Sequence, residues 1–175
     1  MARPARPAGT TTEVSGSSTD TTTSEPARER LQTVRMIHET VRLVTDGRCE
    51  LYNLTERVAD VLRRHDVMDG MVLLSSLHTT LALFVNEWQS ALLHDIKGML
   101  NKVVTPQDGW RHDDPEHSDC DRRNAHSHLQ ATLLGHALSL GVAKGKLVLG
   151  QFQAIIAAEL DGPRNRDLAI QIIKT

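Results

Sequence analysis

The sequence is poor in aromatic residues, in cysteine and in net charge, and each shortage argues against a class of function. Aromatic side chains make up 3% of the 175 residues, too few for a surface that stacks nucleic-acid bases. The net charge of −2 gives no basic surface for nucleic acid or for an anionic membrane. No apolar run approaches the roughly 20 residues that cross a bilayer. We therefore expect neither nucleic acid nor a membrane as a partner.

The two cysteines, Cys49 and Cys120, are too few for a disulfide framework, and the sequence has no Cys-x-x-Cys pair. The first seven residues are not followed by the apolar segment that a signal peptide requires. These features predict a protein of the reducing cytoplasm.

Residues 1–30 are rich in Ser, Thr and Pro and have almost no large apolar side chain. Such a segment cannot bury enough surface to offset the entropy of ordering, so we predict a disordered tail at 1–30 and one domain at 31–175. A transit peptide is the alternative, because Arg, Ser and Thr are frequent. The missing amphipathic pattern and four acidic residues favour the tail, namely Glu13, Asp20, Glu25 and Glu29.

From residue 31 onward the spacing of apolar residues predicts strands mixed with three helices. Strands are predicted at 34–43, with a change of face near His38, and at 71–74, 81–85, 146–149, 154–158 and 168–172. Strands outnumber helices and show no regular βαβ alternation. We therefore predict an α+β fold with an antiparallel, sandwich-like core.

Three segments have helical spacing. Asn53 and Glu56 have the spacing of a capping box, which would open a helix with Leu54, Val58, Val61 and Leu62 on its apolar face. A second helix is predicted at about 87–103, and a third runs from Asn124 to Leu140 with Leu129 and Leu133 on its apolar face. Residues 105–121 lack periodicity and form a long loop of the kind that is functional or disordered.

Polar, His-rich motifs lie between these apolar segments and indicate a built site. Five of the nine histidines fall between residues 112 and 136. Histidine titrates near neutrality and is the commonest metal ligand. The candidate groups are His78-Thr79-Thr80, Asn86-Glu87, His112-Asp113, Asn124-Ala125-His126-Ser127-His128, Glu159 and Asp161-Gly162-Pro163-Arg164-Asn165-Arg166.

Asn124 is a favourable N-cap, and the amides of the turn that follows would offer an anion site next to His126 and His128. In a helix, these two histidines would point to nearly opposite faces, whereas in an extended segment they would share one. The position of the helix start decides between a two-histidine metal clamp and two separate groups.

The segment 161–166 is a turn that directs Arg164 and Arg166, and arginine recognises phosphate through a two-pronged contact. Pairing of these arginines with surface carboxylates is the alternative. Glu159 ends an apolar strand, a common position for a metal ligand or a general base. His78 and Asn86 would lie about 26 Å apart along one unbroken strand. They therefore cannot line one small pocket unless the strand bends or a neighbouring subunit supplies one end.

In this order the motifs resemble the YjbQ family, also called the secondary thiamine-phosphate synthase family, from about Leu31 to Lys174. The matching pieces are 78–83, 86–87, 124–129, 133–135, 145–150, Gln153 and 159–166. Two segments depart from the family pattern. The family commonly has an acidic-proline stretch where this chain has Trp88-Gln89-Ser90-Ala91, and Gly-Thr-Trp-Gln where this chain has Gly150-Gln151-Phe152-Gln153.

The resemblance implies an α+β domain that assembles as a homotrimer, with sites near subunit contacts. It also implies a transferase that joins a hydroxymethylpyrimidine pyrophosphate to a thiazole phosphate, assisted by a divalent metal ion, Mg or Zn. A non-catalytic metal- or anion-binding trimer and an uncharacterised metal-dependent hydrolase are the alternatives. The expected catalytic residues are His78, His126, His128 and Glu159, with the three histidines as metal ligands. The expected phosphate-binding residues are Thr79, Asn86, Glu87, Asn124, Ser127, Arg164 and Arg166.

Overall fold

The strands pair into two antiparallel sheets in the computed structural model, which describes residues 33–174. The five-stranded sheet has the order β1 (Arg35–Val44), β8 (Asn165–Lys174), β3 (Gly70–Ser76), β5 (Ala137–Ala143) and β6 (Lys146–Leu147). The three-stranded sheet has the order β2 (Glu50–Asn53), β7 (Gln153–Glu159) and β4 (Leu81–Glu87). The predicted tail at residues 1–30 lies outside the described residues.

Four helical segments connect these strands. They are α1 (Thr55–Arg64), α2 (Ser90–Val103), a short 3-10 turn (Arg111–Asp113) and α3 (Ala125–Leu134). Within residues 33–174, no helix is long and apolar enough to cross a membrane. The antiparallel sheets with three α-helices confirm the predicted α+β class.

The two sheets share one apolar core. Leu74 and Ile172 of the larger sheet belong to the same buried cluster as Leu83 and Ile155 of the smaller sheet, and α1 adds its apolar face to it. On the other side of the smaller sheet, Ala82, Ala158 and the following Leu160 pack with residues of α2 and α3. The smaller sheet is therefore buried on both faces, and its strand β7 delivers residues 159–161 into the interior.

The turn between β7 and β8 is held against the segment that follows β1. The Gly162 amide donates to the Arg48 carbonyl at 3.1 Å. A Cβ atom at Gly162 would lie 2.1 Å from the Gly47 carbonyl oxygen, so a residue with a side chain does not fit there. This close approach positions Asp161 and Arg164 on either side of the turn.

Three helices and several strands differ from the predictions. Strands β2 and β5 were not predicted as strands, and β6 ends at Leu147 instead of continuing to residue 149. Strand β1 keeps one continuous register with β8, so the predicted change of face near His38 is wrong and Met36 stays exposed. Helix α1 buries its predicted apolar face, but Asn53 is the last residue of β2 and its Oδ1 accepts from the Thr55 amide at 2.9 Å. Helix α2 begins at Ser90, because β4 continues to Glu87 and Gln89 caps the helix by accepting from the Leu92 amide.

Helix α3 is shorter than predicted and buries a different face. It ends at Gly135, whose φ of 98° is a conformation that glycine adopts readily, and residues 137–143 form β5. Leu129 and Leu133 are exposed, whereas Ser127, Gln130 and Ala131 are buried. Gln130 is satisfied there because its side-chain amide donates to the Val104 carbonyl at 3.1 Å.

Candidate functional site

A buried ion pair forms the base of the site. Arg166, at the start of β8, donates from Nε to Glu159 Oε2 at 2.6 Å, and its Nη2 donates to Thr80 Oγ1 at 2.9 Å. Glu159 also accepts from the Thr45 hydroxyl at 3.0 Å and from the Asp161 amide at 2.8 Å. The Arg166 side chain is 4% exposed, so its guanidinium pairs with Glu159 inside the protein and is not accessible to a ligand.

Asp161, two residues further on, holds a second and more accessible pair of arginines. Arg122 donates to both carboxylate oxygens of Asp161 at 2.9 Å, and Arg164 Nη2 lies 3.3 Å from Oδ2. The Asn124 side-chain amide donates to the same oxygen at 2.8 Å. Burial alone would raise the pKa of Asp161, but the bonds from Arg122 and Asn124 and the charge of the arginines outweigh it and hold the pKa below its ordinary value.

These side chains line a cleft of about 470 Å³, which we call the Arg–His cleft. The guanidiniums of Arg122 and Arg164 reach it with side chains that are 48% and 36% exposed. The lining is rich in arginine and histidine and contains one carboxylate, that of Asp161. Its lining residues are Leu77, His78, Thr79, Thr80, His112, Cys120, Arg122, Asn124, His128, Asp161, Arg164 and Arg166.

Three histidines line this cleft in two arrangements. His78 accepts from the Asp167 amide through Nε2 at 2.8 Å, which places the proton of the neutral ring on Nδ1. His112 and His128 meet edge to face with ring centres 5.1 Å apart.

Burial lowers the pKa of His78, and the Arg166 charge lowers it further. Burial and the neighbouring His112 lower the pKa of His128 in the same way. Both rings therefore favour the neutral form more than a free imidazole does.

Most of the backbone amides at the start of α3 already have hydrogen-bond partners within the protein. The Ala125 amide donates to Asp113 Oδ1 at 2.8 Å, and the Ser127 and His128 amides donate to the Asn124 carbonyl. The Asn124 side chain contacts Asp161 instead of capping the helix. The backbone anion site expected at this position stays a prediction, and the positive groups that line the cleft come from side chains.

The structure brings together six of the predicted site residues and separates the rest. His78, Thr79, Asn124, His128, Arg164 and Arg166 line the Arg–His cleft. Glu159 lies beneath it, and Ser127 is buried and donates to the Leu160 carbonyl at 2.6 Å. His126 and His128 both lie in α3, so His126 faces a different cleft. Within one chain, the three histidines therefore do not converge on one point, and their role as metal ligands stays a prediction.

Asn86 and Glu87 lie at the opposite end of β4 from Thr80 and are exposed. Glu87 lines a separate cleft of about 520 Å³ together with Trp88 and Phe152. The expectation from strand geometry, that His78 and Asn86 do not share one pocket within a subunit, agrees with this arrangement.

Two residues of the site, Arg122 and Cys120, were not assigned to it from the sequence, and His112 and Asp161 were named in motifs without a role. His112 and Cys120 lie inside the aperiodic loop, and Arg122 follows it. Asp161 lies between Glu159 and Arg164 and is surrounded by the positive side chains described above. A signal was present in the three arginines near Asp161, because a carboxylate beside clustered guanidiniums is their natural partner.

The side chains do not assemble a resident metal site in the described part of the chain. Within residues 33–174, no group of three or more His, Cys, Asp or Glu side chains could hold a metal ion. The nearest candidate donors are committed otherwise, because His78 Nε2 accepts a backbone amide and Asp161 is held by arginines. We therefore assign no step of the chemistry to a metal bound by one chain.

The family model described as UPF0047 protein YjbQ-like matches residues 39–175 of this chain. The chain belongs to this family. A UPF0047 protein of Archaeoglobus fulgidus is 38% identical over 131 residues, which cover 75% of this chain and 97% of the relative. The UPF0047 protein YugU of Bacillus subtilis is 27% identical over 135 residues, 77% of this chain and 98% of the relative.

A solved structure of the family has the same fold. A YbjQ-like protein of unknown function from Sulfolobus solfataricus superposes with a TM-score of 0.75 at 30% identity, covering 82% of this chain and all of the other. The resemblance inferred from the motifs is thus confirmed at the level of family and fold. That protein is itself of unknown function, so the activity of this chain must be argued from the site.

Proposed function

We propose that the Arg–His cleft binds the phosphate groups of a small molecule and that the protein is a thiamine-phosphate synthase-like transferase. The reaction joins a hydroxymethylpyrimidine pyrophosphate to a thiazole phosphate. One observation carries the proposal: two half-exposed guanidiniums, those of Arg122 and Arg164, are held side by side on the buried carboxylate of Asp161. This arrangement fixes both arginines and leaves part of each accessible to an anion.

The charge balance of the site favours an anionic ligand. Three guanidiniums, those of Arg122, Arg164 and Arg166, face two carboxylates, those of Asp161 and Glu159. In the described residues, Nη1 of Arg122 and of Arg164 makes no hydrogen bond. These nitrogens are available to phosphate oxygens, and a charge-assisted bond of this kind is worth about 1.5–3 kcal/mol.

The proposed reaction needs charge stabilisation more than it needs a base. The ring nitrogen of the thiazole attacks the methylene carbon of the pyrimidine, a C–N bond forms, and the C–O bond to pyrophosphate breaks with its electron pair on oxygen. The attacking nitrogen has no proton to lose and becomes the thiazolium cation. The demand on the protein is therefore to stabilise the negative charge that develops on the leaving pyrophosphate.

Side chains of the cleft suit that demand. Arg122 and Arg164 would hold the pyrophosphate, and the neutral rings of His78 and His128 would each donate one N–H to its oxygens. Glu159 and Arg166, being buried, would act as positioning residues that fix the end of β7 and the start of β8. Asn86 and Glu87 would contribute to a phosphate site only across a subunit contact of the homotrimer that the resemblance implies.

The proposal is tested by turnover and by protection of Cys120, which lines the cleft. Purified protein is incubated with both thiamine precursors, with and without Mg²⁺, and thiamine phosphate is measured. In parallel, alkylation of Cys120 is followed by peptide mass spectrometry as pyrophosphate is added. In the wild type, we expect formation of thiamine phosphate and slower alkylation of Cys120 when pyrophosphate is present. In Arg164→Ala, the affinity for pyrophosphate should be about tenfold to a hundredfold weaker.

Arg63→Ala is the matched control, because Arg63 lies on α1, pairs with Asp60 and does not line the cleft. The control should keep the wild-type affinity and turnover. Protection of Cys120 without turnover would favour the non-catalytic anion-binding alternative. Equal affinity in Arg164→Ala and wild type would remove the phosphate clamp and contradict the proposal.

A further inference from the structure

A second positively charged cleft lies on the other side of α3 from the Arg–His cleft. Residues two apart in a helix are about 200° apart around its axis, so His128 faces the Arg–His cleft and His126 faces away from it. The two preceding arginines also lie on different sides, because Arg122 lines the Arg–His cleft and Arg123 lines the second cleft. The second cleft, the Arg48–Arg123 cleft, measures about 390 Å³ and is lined by Arg48, Cys49, Asn101, Pro106, Arg123, His126, Gln130 and Leu160.

The two arginines of this cleft have no protein partner for their charge. Within residues 33–174, neither the Arg48 nor the Arg123 guanidinium makes a hydrogen bond or an ion pair, and the lining contains no carboxylate. The arginines of the first cleft are, by contrast, all tied to Asp161 or Glu159. Arg48 is also close enough to His126 that its charge, after the larger effect of burial, lowers the pKa of that ring.

Arg123 is held in a strained backbone conformation. Its φ of 51° lies in the left-handed region, which costs a residue with a side chain and favours glycine. Glycine would satisfy the turn before α3 without strain, so the turn alone does not explain arginine at this position. Backbone strain of this kind is concentrated at functional sites.

His126 adds a third observation that packing does not explain. Its Nδ1 atom is buried and makes no hydrogen bond to residues 33–174, while Nε2 has only a long contact of 3.4 Å to the Ser127 hydroxyl. A buried ring nitrogen without a partner is destabilising, so an apolar residue would pack better there. A polar ring at this position is explained if a ligand in the cleft supplies the hydrogen-bond partner that His126 lacks.

We propose that the Arg48–Arg123 cleft is a second ligand site, which binds a phosphate monoester with a small apolar body. The two guanidiniums would share the phosphate dianion, because two planar forks match its oxygens, and His126 would bind its ester or terminal oxygen after reorientation of the ring. Leu160, Pro106 and Cys49 provide an apolar wall for the organic part. The site is distinct from the Arg–His cleft, so the inference does not depend on the proposed transferase activity.

Each cleft contains one cysteine, and this allows the two sites to be measured separately in one sample. Cys49 lines the Arg48–Arg123 cleft and Cys120 lines the Arg–His cleft. Wild-type protein is alkylated at pH 8.5 with phenyl phosphate, benzoate or benzyl alcohol present, and both cysteine peptides are quantified by mass spectrometry. The alkaline pH is needed because burial raises the pKa of the Cys49 thiol, with Lys97 partly opposing it. We expect phenyl phosphate to slow Cys49 alkylation at least fivefold, and the other two compounds to have little effect.

Arg123→Gly separates binding from folding. It removes the guanidinium and the strain together, so the melting temperature should stay the same or rise while the concentration of phenyl phosphate that protects Cys49 increases about tenfold to a hundredfold. Arg48→Gln is a second, exposed substitution that should weaken protection without changing the turn. Arg164→Ala should leave the protection of Cys49 unchanged.

Three results would overturn the inference. One is a Cys49 alkylation rate that millimolar phenyl phosphate does not change. Another is wild-type protection in both Arg123→Gly and Arg48→Gln. The third is equal protection by benzoate, which would show that the cleft does not select phosphate. Loss of Cys120 protection alone would concern the proposed function and not this second site.

Discussion

The Glu159–Arg166 ion pair joins the two sheets of the protein at a point without access to solvent. Glu159 ends β7 in the smaller sheet and Arg166 lies near the start of β8 in the larger one, with Oε1 and Nη2 at 2.5 Å. The two side chains are 0% and 4% exposed. Thr80, which precedes β4, and Thr45, which follows β1, complete the hydrogen bonds of the pair. The pair therefore serves the fold and the site together, since the turn that bears Asp161 lies between its two members.

Removing one charge of this pair should strongly destabilise the protein. Glu159→Gln leaves the Arg166 guanidinium buried without its counter-charge, a change that costs about 3–5 kcal/mol. We expect a clear fall in the free energy of unfolding, measured by urea denaturation at pH 7. Arg42→Gln is the control, because it breaks the exposed Arg42–Asp167 pair, which is worth about 0–1 kcal/mol. A loss in Glu159→Gln no larger than the loss in the control would contradict a central role for the buried pair.

Acid should destabilise the protein through its half-buried histidines. Burial lowers the pKa of His78, His126 and His128 below 6.5 in the folded state, so the unfolded chain binds more protons than the folded one as the pH falls through 6.5. The free energy of unfolding is then highest above pH 6.5 and declines below it. Urea denaturation between pH 8 and 5.5 measures this slope, and each His→Gln substitution should flatten it. The prediction would be contradicted if the free energy of unfolding stayed constant or increased as the pH falls. Such a result would show that folding does not lower the pKa values of these rings.

His128 should contribute to phosphate binding in the Arg–His cleft. Its ring is fixed edge to face against His112, and it borders both this cleft and an apolar cleft lined by Trp110 and Leu129. We expect His128→Ala to weaken the protection of Cys120 by pyrophosphate about tenfold to a hundredfold, since it removes one hydrogen bond to an anion. His94→Ala, an exposed substitution on α2, is the control and should not change protection. Wild-type protection in His128→Ala would exclude the ring from the phosphate contacts.

Sequence patterns predicted six of the eight strands, from alternating or continuous apolar residues, and missed β2 and β5. They predicted α3 poorly. Leu129 and Leu133 have helical spacing but are exposed, and the buried face includes Gln130, whose polar group is satisfied by the Val104 carbonyl. Apolar spacing cannot indicate a buried polar residue that finds its partner only in the folded protein. The strand β5 was assigned to the same helix because Ala137 and Leu140 are three apart and the role of Gly135 as a terminator was missed.

For the site, the motifs predicted which segments meet but not how their groups are used. Arg164 and Arg166 look equivalent in sequence, yet Arg166 is buried with Glu159 and Arg164 is partly exposed on Asp161. Asn124 looks like a cap with free amides behind it, yet Asp113, from the aperiodic loop, accepts from the first amide. Both distinctions depend on contacts between residues far apart in sequence. Local spacing therefore identifies the reactive groups and leaves their partners undetermined.

The homotrimer implied by the resemblance should leave a detectable apolar contact on the larger sheet. Met36, Ile173 and Met71 are neighbours across β1, β8 and β3 and are all exposed in the single chain. An exposed apolar patch on a sheet face is a common subunit contact.

We expect light scattering at micromolar concentration to give about 58 kDa, three times the 19.4 kDa of one chain. Met71→Glu places a charge at the β3 end of this row and should shift the mass toward one chain, while Met99→Glu on exposed α2 should not. A wild-type mass near 19.4 kDa would contradict the trimer, and a trimer unaffected by Met71→Glu would place the contact on another surface.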